Sequence, residues 1–179
     1  MRVTVFGGAT PRVGEAAYES ARALGTSLAQ HGHTVLTGGY TGTMEAVSRG
    51  AAEAGGHVIG ITCEEVENWR PVGANAWVIE EWRCTTLQER LDKLMITCDV
   101  AMALPGGVGT LTEICLLWNR ILIASIPPRP LILIGHGWRE VFQTFFEQLG
   151  EYVNERDRRW LLFAENNEQA IRLFPFHEK

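Results

Sequence analysis

The sequence predicts an α/β fold: a three-layer sandwich with a mostly parallel central sheet and helices on both faces. Three observations carry this prediction. Strand-like and helix-like segments alternate strand–helix–strand–helix–strand over the first sixty or so residues, the pattern of parallel strands joined by crossover helices. Three strands run into glycine clusters just before a helix. The chain has 179 residues, 46% hydrophobic and 21% charged, which is enough for one buried core and ordinary for a globular protein.

Arg2–Phe6 reads as an apolar strand that stops at Gly7-Gly8. From Gly14 to Gln30, Ala17, Ala21, Leu24 and Leu28 recur at helical spacing. His31-Gly32-His33 resembles a metal pair, but a glycine there marks a helix end, so the pair is read as a helix terminus followed by a strand. Thr34–Thr37 is a short strand ending at Gly38-Gly39, Thr41–Ala54 a helix closed by Gly55-Gly56, and His57–Thr62 a third strand. Cys63–Asn75 is polar and irregular, and Ala76–Glu80 is read as a strand. Thr85–Cys98 is helical, with Thr86 and Glu89 spaced as a capping box. Asp99–Leu104 is a strand running into Pro105-Gly106-Gly107-Val108-Gly109-Thr110, and a helix follows to about Ile123. Pro127-Pro128-Arg129-Pro130 is a rigid connector. Strand Pro130–Ile134, helix Gly137–Leu149, strand Trp160–Ala164 and helix Asn166–Leu173 complete the pattern. With no repeat, low-complexity segment or linker, one domain is expected over residues 1–179.

Composition narrows the function classes. Sixteen Lys and Arg against 21 Asp and Glu give a net charge of −5, which argues against binding a nucleic-acid backbone. The wholly apolar runs are short, Leu131–Ile134 among them, and fall far short of the roughly 20 residues that span a bilayer. Met1–Phe6 turns directly into glycines without the apolar run of a secretory signal, so a cytoplasmic protein without membrane contact is expected. Cys63, Cys84, Cys98 and Cys115 form no C-x-x-C pair and are read as buried free thiols. The histidines at 31, 33, 57, 136 and 177 are scattered, and no metal site is expected.

The glycines carry the functional signal. In a parallel sheet the strand C-termini share one edge, so Gly7-Gly8-Ala9-Thr10, Gly38-Gly39-Tyr40-Thr41-Gly42 and Gly106-Gly107-Val108-Gly109-Thr110 should converge there. Glycine lets the backbone approach a ligand, and a helix N-terminus just beyond favours an anion such as phosphate. The first loop lacks the lysine of a P-loop, and Gly107-x-Gly109 has Thr112 where a dinucleotide fingerprint has its third glycine. Neither P-loop ATP hydrolysis nor NAD-dependent oxidoreduction is therefore expected.

Helix 109–123 is apolar almost all round, which predicts burial in the core or in a subunit interface. Its two charges are Glu113 and Arg120. Glu113 falls one turn in, three residues after Thr110 and on the face of the proposed phosphate loop. A carboxylate there gains from the helix dipole, but a buried one beside an anion site is costly and points to function. On helix 85–98, Arg90 lies at the margin of the Leu87, Leu91, Leu94, Cys98 stripe. It is read either as a snorkelling surface arginine or as an arginine aimed at a phosphate or at Glu113.

Pro105-Gly106-Gly107-Val108-Gly109-Thr110-Leu111-Thr112-Glu113 resembles the P-G-G-x-G-T-x-x-E signature of the Lonely Guy (LOG) family. Gln88-Glu89-Arg90, Thr37–Met44 and Gly8-x-Thr10 resemble its arginine segment, second glycine motif and opening loop, so the likeness covers about residues 1–150. It implies a Rossmann-like homodimer that binds nucleoside 5′-monophosphates without a cofactor. It also implies cleavage of the base–ribose bond of a cytokinin nucleotide or AMP, giving free base and ribose 5-phosphate. Arg90 and Glu113 would be the catalytic pair. Gly8, Thr10, Gly38, Gly39, Gly42, Met44 and Gly106 to Thr110, including Gly107, Val108 and Gly109, would bind substrate, and helix 109–123 would pair the subunits. The family's lysine decarboxylase label is set aside, because no lysine here sits where a pyridoxal phosphate Schiff base would form. The usual His-Glu-Arg-Lys reads Gln88-Glu89-Arg90-Leu91, and Gly-Leu-Met-Gly reads Gly42-Thr43-Met44-Glu45. Met44-Glu45-Ala46 is closer to a sister branch that includes molybdenum-cofactor carrier proteins. The second reading is thus a non-catalytic carrier or sensor of a phosphorylated ligand.

Overall fold

The computed structural model describes residues 1–174. Its centre is a seven-stranded sheet: β1 (Arg2–Phe6), β2 (Thr34–Thr37), β3 (Val58–Cys63), β4 (Glu80–Cys84), β5 (Val100–Ala103), β6 (Leu131–Ile134) and β7 (Leu161–Ala164). The order is β4-β3-β2-β1-β5-β6-β7 and every pairing is parallel. Parallel strands need crossovers. These are supplied by α1 (Ala16–Gln30), α2 (Thr43–Glu53), α3 (Glu64–Trp69), α4 (Leu87–Ile96), α5 (Val108–Leu122), α6 (His136–Leu149) and α7 (Glu155–Arg158), with α8 (Asn167–Arg172) last.

Side-chain alternation splits the core in two. Val3 and Val5 face α1, α2 and α8, with Tyr18, Leu24, Leu28, Val47 and Ala170. Phe6 faces the other way, onto a layer that includes Leu91, Leu94, Ile114, Leu117, Trp118 and Phe142 from α4, α5 and α6. The α/β sandwich expected from the sequence is therefore present, and all its pairings are parallel. Among the described residues no helix is long and apolar enough to cross a membrane.

Several segments differ from the sequence reading. The strand expected at Ala76–Glu80 is displaced to Glu80–Cys84. This is an edge strand that exposes Glu80, Glu81 and Arg83, so its pattern is polar. Val78 instead lies over Gly60. The supposedly irregular stretch 63–75 contains α3, and the sheet's last two strands are joined by an unexpected 3₁₀ turn (Gly150–Tyr152) and α7. All four cysteines are free, but Cys115 is exposed, because it lies on the side of α5 away from Ile114 and Leu117. Helix α5 is also less enclosed than its composition suggests. Ile114, Leu117, Trp118 and Ile121 are buried, whereas Val108 and Ile123 are 83% and 66% exposed. Arg120 pairs with Asp92 of α4. Of the histidines, His177 lies outside the described residues; His31 forms the end of α1, as read from the sequence.

Thr86 and Glu89 form the expected capping box at the start of α4. The other end of α4 is closed by Arg129, which donates to the carbonyls of Met95 (2.6 Å), Ile96 and Cys98. A buried guanidinium thus answers carbonyls that the helix cannot satisfy itself.

Helices α1 and α2 meet through glycine. A Cβ on Gly25 would stand 2.1 Å from the Val47 carbonyl oxygen, and one on Gly50 would stand 1.9 Å from that of Arg22. Replacing a helical glycine by alanine ordinarily stabilises by about 1 kcal/mol. Here the clash is with backbone and no rotamer relieves it. Gly25→Ala is expected to destabilise by about 1–3 kcal/mol net, seen as a lower urea midpoint at unchanged slope.

Candidate active site

The strand order places the site. The chain steps from β1 outward through β2, β3 and β4, then returns to the other side of β1 as β5. Loops leaving β1 and β5 therefore diverge to opposite faces and open a crevice between them, the place where open α/β sheets bind ligands. The loop after β1 is stitched to both neighbours. The Gly8 amide donates to the Pro105 carbonyl (3.1 Å), and the Thr43 amide donates to the Gly8 carbonyl (2.9 Å). All three glycine loops thus meet at one edge, and a cleft of 880 Å³ lies over them.

The glycines do different things there. Gly107 and Gly109 face open space, so their backbone is accessible from the cleft. Gly107 is the N-cap of α5 and contributes no side chain to cap it. The first-turn amides of Val108, Gly109 and Thr110 are left facing the cleft with the positive end of a 15-residue helix behind them. Gly8, Thr10, Met44, Gly106, Thr110 and the largely exposed Val108 also line it. A Cβ on Gly106 would collide with Thr110 at 2.2 Å, so this glycine serves loop packing. Gly38, Gly39 and Gly42 do not line the cleft. They lie beneath it: Gly42 against Ala9, Gly39 against Thr62, and Gly38 against Arg90, whose Nη2 would be 1.8 Å from a Cβ.

Arg90 is buried, which resolves the two sequence readings against the snorkelling one. Its Nε donates to the Ile61 carbonyl (2.7 Å), its Nη2 donates to the Gly38 carbonyl (3.2 Å), and its guanidinium lies over the Tyr40 ring at 5.4 Å. The strand ends of β2 and β3 thus fix the arginine from below. Its free Nη1 faces Glu113 Oε1 at 3.9 Å, with side chains only 8% and 12% exposed. Burial pushes the Glu113 carboxyl up to about 7, and the Arg90 charge pulls the other way. Between pH 6 and 8 this group can either take or give a proton, as acid–base chemistry requires.

Tyr40, Trp69 and Arg70 also line the cleft and were not among the residues expected from sequence. Tyr40 accepts from the Cys63 amide (2.7 Å) and donates to the Cys63 carbonyl; burial pushes its phenol up to about 12, so it stays neutral. Trp69 and Arg70 end a short helix inside a stretch with no periodicity. Of the two departures at 88 and 45, Gln88 is exposed and donates to Asp92 (2.8 Å), and Glu45 accepts from Tyr18 (3.2 Å). Neither lines the cleft.

The profile of the SLOG cluster4 family matches residues 1–149, the part of the chain that builds every loop of this cleft. The chain belongs to the SLOG cluster4 family. Among similar proteins is the probable cytokinin riboside 5′-monophosphate phosphoribohydrolase LOGL5 of Oryza sativa subsp. japonica. It is 32% identical over 75% of this chain and 55% of its own length, so the chain spans about half of that relative. The cytokinin riboside 5′-monophosphate phosphoribohydrolase LOG2 of Arabidopsis thaliana is 25% identical over 96% of this chain and 81% of its own. A similar solved structure is the molybdenum cofactor binding protein of Rippkaea orientalis. It has a TM-score of 0.74 and 25% identity over 96% of this chain and 93% of that one. The likeness to the LOG family and to the carrier branch thus both hold.

The elevated carboxyl of this SLOG protein has a measurable cost. Below pH 4.5 Glu113 is protonated whether the chain is folded or not. As pH rises, the unfolded chain ionises first, near 4.5, and the folded one only near 7. Stability is therefore lost across that window and the loss is complete above it. Glu113→Gln should gain on the parent by about 3 kcal/mol between pH 4.5 and 7 and then stay level, as followed by urea unfolding across pH.

Proposed function

We propose that this protein hydrolyses the N-glycosidic bond of a nucleoside 5′-monophosphate, of cytokinin riboside monophosphate or AMP type. The observation that carries the reading is Glu113: a buried carboxyl beside a fixed arginine, in the same cleft as the uncapped N-terminus of α5. The α5 amides hold the 5′-phosphate, so binding energy remote from the reacting bond positions the ribose. The bond from C1′ to the base nitrogen breaks with its electron pair leaving on the base, which takes up a proton. C1′ becomes oxocarbenium-like and is attacked by water, which loses a proton and completes ribose 5-phosphate. Ionised Glu113 stabilises the cationic sugar or receives the water proton, the two tasks of carboxylates in glycoside hydrolysis. Arg90 orients Glu113 and keeps part of it ionised at neutral pH. The activity for which the Oryza and Arabidopsis relatives are named supports the same reaction class.

A carrier of a phosphorylated cofactor is the second reading. The likeness to the Rippkaea orientalis molybdenum cofactor binding protein favours it, since the same loops would hold that ligand's phosphate. Free base released from AMP by the purified protein separates the two; thermal stabilisation without release favours the carrier. Under the first reading Glu113→Ala lowers base release about a hundredfold or more while nucleotide still binds. Unchanged turnover would exclude Glu113 from the chemistry. With the ionised form active, kcat/KM for the parent rises with pH up to about 7 and then levels.

The half-exposed apolar side of α5 supports pairing with a second copy, which we also propose: Leu111, Leu116 and Leu122 are only partly buried, and Ile123 is 66% exposed. Sedimentation should give twice the 19.9 kDa chain mass, and Ile123→Asp should shift it to that of a single chain.

A further inference from the structure

Helix α3 presents a puzzle that the catalytic pair does not answer. None of its residues is buried, yet it is held in place by carboxylate anchors. Glu65 accepts from the Leu87 amide (2.7 Å), and the Glu65 amide donates to the Thr85 carbonyl. Glu67 accepts from Arg83 (2.5 Å) and from the Tyr40 hydroxyl (3.4 Å), and Val66 packs on the core. What this fixed helix offers the cleft is Trp69, an indole 80% exposed on the wall of the pocket that holds Arg90, Glu113 and the α5 amides. Arg70, the next residue, lies over that ring at 5.9 Å. Arg70 lines the cleft as well, so its guanidinium stands beside the indole on the same wall.

An exposed indole with an arginine beside it, both lining one cleft wall on an anchored helix, fits a planar ligand group with an acceptor on its edge. We infer that Trp69 and Arg70 form the base-recognition wall of the cleft, Trp69 stacking on a purine or similar heteroaromatic base and Arg70 donating to an acceptor on its edge. This rests on the nucleotide reading above and assigns the far end of that ligand, the phosphate being held at α5. Stacking on an aromatic side chain tolerates different bases, while the arginine selects for an acceptor at the right edge.

The test separates base from phosphate. AMP and ribose 5-phosphate are titrated calorimetrically into the full chain carrying Glu113→Gln, so that no base is released during the measurement. Adding Trp69→Ala should weaken AMP about tenfold or more and leave ribose 5-phosphate within about twofold. Trp69→Phe should restore most of the AMP affinity, and Arg70→Met should repeat the AMP-selective loss. Trp69 is exposed, so melting temperatures should match that of the Glu113→Gln chain and exclude unfolding as the cause. Undiminished AMP binding, or equal losses for both ligands, would overturn the inference while leaving the nucleotide site standing. Binding of neither ligand before Trp69 is changed would overturn the nucleotide reading and this inference with it.

Discussion

The site depends on one topological constraint: β1 is the strand from which the chain departs in one direction and to whose other side it returns. Two loops that start side by side, after β1 and after β5, must therefore run to opposite layers. The hydrogen bond from the Gly8 amide to the Pro105 carbonyl ties them together where they part. That bond holds the loops at backbone distance, and glycines 8 and 106 permit it because a Cβ on Gly106 would reach to 2.9 Å from the Gly8 nitrogen. The α5 N-terminus, its dipole and its uncapped amides follow from where this stitch leaves the chain.

At the Arg90–Glu113 pair, desolvation and charge pairing pull the carboxyl in opposite directions. Desolvating a carboxyl is costly, and at 3.9 Å the guanidinium offsets only part of the cost. A tighter, bidentate pair would be more stable and would push the carboxyl well below neutrality, out of reach of proton exchange at pH 7. The protein instead spends two of the arginine's donors on the carbonyls of Ile61 and Gly38. This fixes the positive charge near Glu113 without saturating it, so the carboxyl stays able to exchange a proton near neutral pH.

Much of this was legible in the sequence because it rests on local rules. Alternation, helical spacing and glycine at strand ends gave the strands, apart from β4, and the longer helices, and the capping box at Thr86 and Glu89 was readable by spacing alone. The convergence of the loops followed from parallel pairing, and Glu113 stood out as a charge in an apolar helix. What was not legible depends on tertiary partners. Strand β4 looks polar because it is an edge; α3 is too short for periodicity and is held by Tyr40, Arg83 and Leu87 from elsewhere. For Arg90 the sequence leaves a surface arginine and one aimed at a phosphate or Glu113 both open, and only the carbonyls of Ile61 and Gly38 beneath it decide; Arg129 looks like part of a linker until it reaches the end of α4. Gly38, Gly39 and Gly42 share the glycine signature of the loops that line the cleft but pack beneath it, a difference that only the neighbours of each missing Cβ reveal.

The central claim is that one cleft holds a phosphate at the start of α5 with the glycosidic bond beside Glu113. A crystal structure of the Glu113→Gln variant with AMP tests it most directly. The account predicts the phosphate on the amides of Val108, Gly109 and Thr110, C1′ in van der Waals contact with residue 113, and the base toward Trp69. A nucleotide bound with its phosphate elsewhere, or with the base against the α5 amides, would contradict it.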